Sequence, residues 1–243
     1  MNLKDKVVFI TGGGSGIGLG IAQAMAKEDC RVVICGRSED KLKDVVEAQP
    51  VDQPLHYRVC DVADREAVNG VFAWMKENGG LPDVLINCAG TNVANRTMAN
   101  LDPKDFDDVI AANLTGTFNT MHAATPSMKE NGEGHIINIV SIAGKKMLEL
   151  AGLPYAVSKA AQSALGAYAN VEDSKNGVRV TSIYPGEVNT PIIDKRPVVP
   201  SDDKRQAMIQ PEDVASCVIL VLKLPARAVV SELIITTPYQ PLD

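Results

Sequence analysis

Short, β-branched apolar runs separated by longer amphipathic stretches constrain this chain more than any other feature of its sequence. The runs "KVVFIT" (6–11), "RVVICG" (31–36), "LHYRVC" (55–60), "DVLINC" (83–88), "HIINIVS" (135–141), "VRVTSIY" (178–184) and "ELIITT" (232–237) predict strands. Residues 16–28, 39–48, 64–78, 103–130, 154–175 and 211–223 predict helices between them. Strands this apolar, with few alternating polar positions, belong in a sheet covered on both faces. Alternation along the whole chain therefore predicts an α/β fold with a doubly wound sheet of about seven parallel strands. With 243 residues, 45% of them hydrophobic, and no repeat or linker, the chain reads as one domain spanning 1–243. One long irregular stretch, "GEVNTPIIDKRPVVPSDDKRQAMIQ" at 186–210, is rich in Pro and charge, and loops of such length are often lids.

Composition excludes several classes of function. A net charge of −6 without a basic cluster argues against nucleic acid as the partner. No apolar stretch reaches membrane-spanning length and the N-terminus "MNLKDKVVFI" lacks a long apolar core, so a soluble, cytoplasmic protein is expected. Cys30, Cys35, Cys60, Cys88 and Cys217 are odd in number, form no CxxC pair and sit mostly in apolar runs. They read as buried thiols in a reducing compartment, not as a disulfide frame or zinc site. His56, His122 and His135 are scattered without ligand spacing, so no metal is expected.

The first predicted strand runs directly into "TGGGSGIG" at 11–18, just before a predicted helix. Glycine costs roughly 1 kcal/mol relative to alanine where a helix must form, so something here needs the missing Cβ atoms. A helix N-terminus offers unpaired N–H groups and partial positive charge, and suits a pyrophosphate if the backbone is approachable. Gly12, Gly16 and Gly18 would permit the turn, the approach and the helix–sheet packing of a Rossmann-type dinucleotide site.

The spacing T-G-x-x-x-G-x-G resembles that of the short-chain dehydrogenase/reductase (SDR) family, and the resemblance continues along the chain. "NCAG" (87–90) is similar to its N-A-G element, "NLTG" (113–116) to its helix-borne asparagine, and "SIAG" (141–144) follows the fifth strand. "YAVSK" (155–159) is similar to the Y-x-x-x-K signature and "YPGEVNT" (184–190) to P-G-x-V-x-T, so the motifs cover about residues 6–190. The resemblance implies cofactor contacts from Gly12, Ser15, Gly16, Ile17, Gly18, Asn87, Ala89, Gly90, Pro185, Gly186, Val188 and Thr190. Val188 and Thr190 would fix the nicotinamide carboxamide; Asp61, with Val62, would sit beside the adenine. NAD-binding members place an acid at the end of the second strand, whereas an arginine there accommodates a 2′-phosphate. This chain has Gly36 followed by Arg37 and Ser38, which favours NADP over NAD, although Glu39 and Asp40 are close enough to pair with Arg37.

Tyr155 and Lys159 are four positions apart on a predicted helix and so share a face. A phenol of pKa about 10 is a poor base near neutrality, and an ammonium about 4 Å away would lower it. The resemblance implies that Lys159 does this while holding the nicotinamide ribose. It also implies that Ser141 hydrogen-bonds the substrate oxygen and that Asn113 holds a water linking Lys159 to solvent. Together these residues imply hydride transfer between nicotinamide and a carbonyl or secondary alcohol, with Tyr155 moving the proton.

The chain also departs from the family. Ser141 precedes Tyr155 by 14 residues, one more than is usual, and the added residue falls in "KKMLELAGL" beside the expected pocket. The C-terminus lacks the common V-D-G-G, and its "SELIITTPYQPLD" is more similar to the NADP-linked 3-hydroxy acid dehydrogenase branch. The small residues of "AVSKAAQSALGAYANV" suit close packing across a homodimer or homotetramer interface, or against the chain's own sheet. Met147, Leu148, Leu150, Leu153, Ile192 and Ile193 suggest apolar pocket walls, while Lys145, Lys146 and Arg96 would suit a carboxylate. A 3-oxoacyl carrier-protein substrate, as in the 3-oxoacyl reductases, stays open beside a small 3-hydroxy acid, a sugar alcohol and a steroid. Two other readings remain: an NAD-linked polyol or hydroxy acid dehydrogenase, and a regulator that senses dinucleotide occupancy.

Overall fold

Alternate residues of the first strand enter different cores, which shows how the sheet is covered. In the structure, a computed structural model describing residues 1–49 and 55–239, β1 is Val7–Thr11. Val7 and Phe9 face one core, and Val8 and Ile10 the other. The remaining strands are β2 Arg31–Gly36, β3 Leu55–Val59, β4 Val84–Asn87, β5 Gly134–Ile139, β6 Val178–Pro185 and β7 Glu232–Ile235. All pair in parallel in the order β3-β2-β1-β4-β5-β6-β7, the seven-stranded Rossmann-type sheet that the alternation predicts.

On one face α1 (Gly16–Lys27) contributes Ile21 and Met25, and α2 (Glu39–Glu47) contributes Leu42 and Val45. On the other, α3 (Arg65–Glu77) supplies Val68, Phe72 and Met75. Full burial of such side chains is worth about 1.5–3 kcal/mol each, so each helix is fixed by its apolar stripe. Asp64 caps α3, accepting from the Glu66 and Ala67 amides at 2.9 and 3.1 Å.

The predicted helix at 103–130 is in fact three segments. α4 (Pro103–Ile110) leads into a π turn at Ala111–Thr115, and α5 (Gly116–Asn131) follows. The turn carries Asn113, in keeping with the tendency of π segments to sit at functional sites. α6 (Leu153–Asp173) then lays Ala156, Ser158, Gln162 and Gly166 inward, while Val157, Tyr168 and Val171 are exposed. Gly166 packs on the chain's own sheet, against Ser182 and Asn138, while Ala164 and Ala167 are exposed.

The stretch 186–210 has more structure than a lid loop suggests. It holds a 3-10 segment at Pro191–Lys195 and a short helix, α7 (Asp202–Gln206), and Val188 bridges to Ile209. α8 (Pro211–Lys223) closes the first face with Val214, Val218 and Leu222. The last four residues of the C-terminal stretch lie outside the described residues.

Candidate active site

The strand order reverses between β1 and β4, the point where open α/β sheets bind ligands. There Thr11 Oγ1 accepts from the Cys88 and Ala89 amides, both at 3.0 Å, and ties the two strand ends together. Gly12 has φ +69°, and a Cβ on it would stand 2.9 Å from the Ala89 backbone. Only glycine fits that approach. A Cβ on Gly18 would run into the Gly12 carbonyl, so this residue packs α1 behind the turn and does not line the cleft. Ser15 precedes α1 without a side-chain cap, and the first turn holds no acid. These open amides beside a cradle that a Cβ would fill are a good fit for the diphosphate of a dinucleotide.

A cavity of about 420 Å³ runs from this turn across the sheet's edge. Gly12, Ser15, Gly16, Ile17, Arg37, Ala89 and Gly90 line one end, and Pro185, Gly186, Val188 and Thr190 line the far wall. An adjoining recess is lined by Arg37, Lys41, Asp61 and Val62. Glu39 is engaged by Lys43 at 3.2 Å and by the Tyr57 hydroxyl, not by Arg37. Lys41, in the first turn of α2, is a cation that sequence reasoning missed.

Ser141, Tyr155 and Lys159 meet at the cavity's centre. Ser141 lies two residues past the end of β5, opening a 3-10 turn at Ile142–Gly144 whose Ala143 amide it accepts at 3.1 Å. Its side chain also hydrogen-bonds the Tyr155 phenol. Lys159 Nζ lies 5.7 Å from the Tyr155 ring centre and donates to the Ile139 carbonyl at 2.8 Å and to Gln162 Oε1 at 2.7 Å.

Burial dominates the electrostatics of the pair. Burial pushes the Tyr155 phenol up to about 12, opposed by the Ser141 hydrogen bond and the charge of Arg196. The same burial brings Lys159 itself down to about 8. Desolvation wins at both groups because each is enclosed by protein while no carboxylate contributes to either shift.

Asn113 and Asn87 stand behind the cavity wall. Asn113 is fully buried; its Oδ1 accepts from the Thr91 amide at 2.7 Å, and its Nδ2 donates to Thr91 O and Ser158 Oγ. Ser158 in turn donates to the Tyr155 carbonyl at 2.8 Å, so Asn113 supports the helix that carries Tyr155 and Lys159. Asn87 belongs to a polar row, Thr11–Asn87–Asn138–Ser182, aligned by register across β1, β4, β5 and β6. It donates to Asn138 Oδ1 at 2.9 Å and accepts from Thr120 Oγ1 at 2.6 Å.

At the substrate end Leu148, Leu150, Ile192 and Ile193 line the cavity, whereas Leu153 and the exposed Met147 do not. Arg96 lines it too, bound to the Leu150 and Lys195 carbonyls. Lys145 is paired with Glu232 and turned over the Tyr184 ring, away from this end. Among the described residues no group of His, Cys, Asp and Glu is placed to hold a metal.

This arrangement is that of a nicotinamide-dependent oxidoreductase, and the chain belongs to the short-chain dehydrogenase family, whose model matches residues 6–197. An uncharacterised oxidoreductase of Staphylococcus saprophyticus is 34% identical over 96% of this chain and 97% of its own length. Among solved structures, a serine dehydrogenase complexed with NADP+ is similar with a TM-score of 0.88 at 27% identity, covering 97% of this chain and 96% of that one. The actinorhodin polyketide ketoreductase with NADPH gives 0.87 at 28% identity, covering 96% of each. The chain is accordingly an NAD(P)-dependent enzyme acting on CH–OH groups.

Proposed function

We propose that this enzyme is an NADP-dependent carbonyl reductase or secondary-alcohol dehydrogenase acting on a 3-oxoacyl or similar ketone. The observation that carries the reading is the Ser141–Tyr155 hydrogen bond opening into the cleft, with the Lys159 ammonium beside it. Bound nicotinamide supplies the hydride for the carbonyl carbon, or accepts it in the reverse direction. Tyr155 gives its proton to the substrate oxygen in reduction and takes it back in oxidation. Ser141 donates a hydrogen bond to that oxygen, and the Lys159 charge favours the phenolate that is left. The apolar wall of Leu148, Leu150, Ile192 and Ile193 supports an acyl-chain ketone over a polyol.

The cofactor preference rests on Gly36 in place of an acid, with Arg37 and Lys41 both lining the recess beside it. The NADP or NADPH in the two structural neighbours is in keeping with this. Parallel titration with NADPH and NADH, followed by nicotinamide fluorescence at moderate salt, is the test. NADPH should bind at least about tenfold tighter. Equal or tighter binding of NADH would overturn the assignment and favour the NAD-linked polyol or hydroxy acid dehydrogenase.

A homodimer or homotetramer is also proposed, because Phe118 on α5 and Val157, Tyr168 and Val171 on α6 are exposed apolar side chains. Sedimentation of a monomer at micromolar concentration would sink that part. The five cysteines, all free, support a reducing, cytoplasmic setting, and no described helix is long and apolar enough to cross a membrane.

A further inference from the structure

Gln162 lies one turn beyond Lys159 on α6 and is fully buried. Its Oε1 accepts from Lys159 Nζ at 2.7 Å, and its Nε2 donates to Thr117 Oγ1 at 2.8 Å. The Thr117 hydroxyl donates to the Asn113 backbone carbonyl at 2.8 Å. The neighbours settle which end of the amide is which. An ammonium has only donors, and the Thr117 hydrogen is already committed, so its oxygen needs a donor.

Lys159 is 3% exposed, and its other acceptor is the Ile139 carbonyl of β5. The groups around it are the Cys88 thiol following β4, the Tyr155 phenol on its own helix, and the uncharged Asn113 and Thr117 from the π turn and α5. No described carboxylate forms an ion pair with it. A buried ammonium without such a partner depends on neutral acceptors to stay charged. A carboxylate at position 162 would hold it more firmly but cancel its field at Tyr155. An amide oxygen solvates the ammonium and leaves the unit charge intact.

We propose that Gln162 is a positioning residue: its amide oxygen anchors the Lys159 ammonium beside Tyr155 and, through Thr117, ties it to the Asn113 carbonyl in the π turn. The role in catalysis rests on the function proposed above, so the test reads the ammonium directly.

Lysine side chains of the cofactor-free protein would be titrated by 13C and 15N NMR, with the Lys159 resonance identified by its loss in Lys159→Arg. In the wild type its midpoint should lie near 8, set by burial. Gln162→Met keeps the length and removes the acceptor, and should lower the midpoint by about one pH unit. Gln162→Glu should raise it by about as much. Thr117→Val frees the far end of the amide and should give a smaller downward shift; with the Glu variant it decides the matter if the Met variant does not fold. Midpoints in folded Met and Glu variants that coincide with the wild type would overturn the proposal. Midpoints that move support the anchor whatever a ketone-reduction assay shows, since a failed assay bears on the proposed function alone. Where a ketone is reduced, the alkaline limb of kcat/KM should move with the NMR midpoint, whereas a purely structural role would scale the whole profile.

Discussion

At the end of β1 the cleft is bounded by Gly12, Ser15 and Gly16, residues with little or no side chain, and it offers a ligand the backbone at the start of α1, the Gly12 amide being bonded to the Cys35 carbonyl at 2.8 Å. Past the end of β5 it is bounded by Ser141, Tyr155 and Lys159, backed by buried polar groups: Gln162 holds the Lys159 ammonium, and Asn113 with Ser158 holds the Tyr155 backbone carbonyl. One half is made by taking atoms away, and the other by burying polar atoms in mutual contact. The difference teaches where each is fragile. Added bulk breaks the first, whereas a lost partner breaks the second.

The largest expected effect separates the halves cleanly. Tyr155→Phe should lower turnover by about 10²–10⁴-fold while NADPH binding, measured by fluorescence, stays close to wild type. Unchanged turnover would favour a dinucleotide sensor over an enzyme. Next, Arg37→Ala combined with Lys41→Ala should weaken NADPH by about tenfold to a hundredfold and leave NADH nearly unaffected. A variant that lost both cofactors equally would place the pair in the fold, not in phosphate recognition.

Adding bulk tests the other side of the comparison. Gly18→Ala drives a methyl toward the Gly12 carbonyl and should destabilise the protein by about 1–3 kcal/mol in urea, with cofactor affinity falling alongside. The smallest effect concerns a buried polar group remote from the chemistry. His135 on β5 bonds Thr181 Oγ1 at 2.9 Å, and burial brings its imidazole down to about 3. The unfolded chain, with an ordinary imidazole, binds the extra proton first as pH falls below about 6.5, so stability is lost from there toward pH 3. About 1–2 kcal/mol should go between pH 7 and pH 5, and His135→Gln should flatten that slope in pH-dependent melts.

Much of this was legible in the sequence, for reasons that differ by residue. The seven strands follow from short β-branched runs, apolar up to the last residue in β1 and β4 and mixed in the edge strands β3 and β7, and Tyr155 with Lys159 from spacing on one helix. Such features are local. The polar row of Thr11, Asn87, Asn138 and Ser182 depends on strand register, which no single segment encodes, so the bracing bonds of the Asn87 side chain are not legible in the sequence. Gln162 sits within a run of small residues and gives no sign of its two partners, one of which lies on another helix. The upward push of burial on Tyr155 depends on the whole enclosure, which no pairwise spacing encodes. Helical periodicity is continuous over 103–130, and a π turn leaves the residue types unchanged, so the break at 111–115 is invisible there.

That wide turn also sets an angular phase. Each residue advances an α-helix by about 100°, so the widened turn re-aims everything that follows it. α4 meets α6, while α5 meets α3 and places Met121, Ala124 and Met128 in the second core. Deleting one residue from Ala111–Thr115 would restore ordinary winding and swing those three away from the sheet. The extra residue that makes room for Asn113 is therefore held in place by a core to which Asn113 itself does not belong.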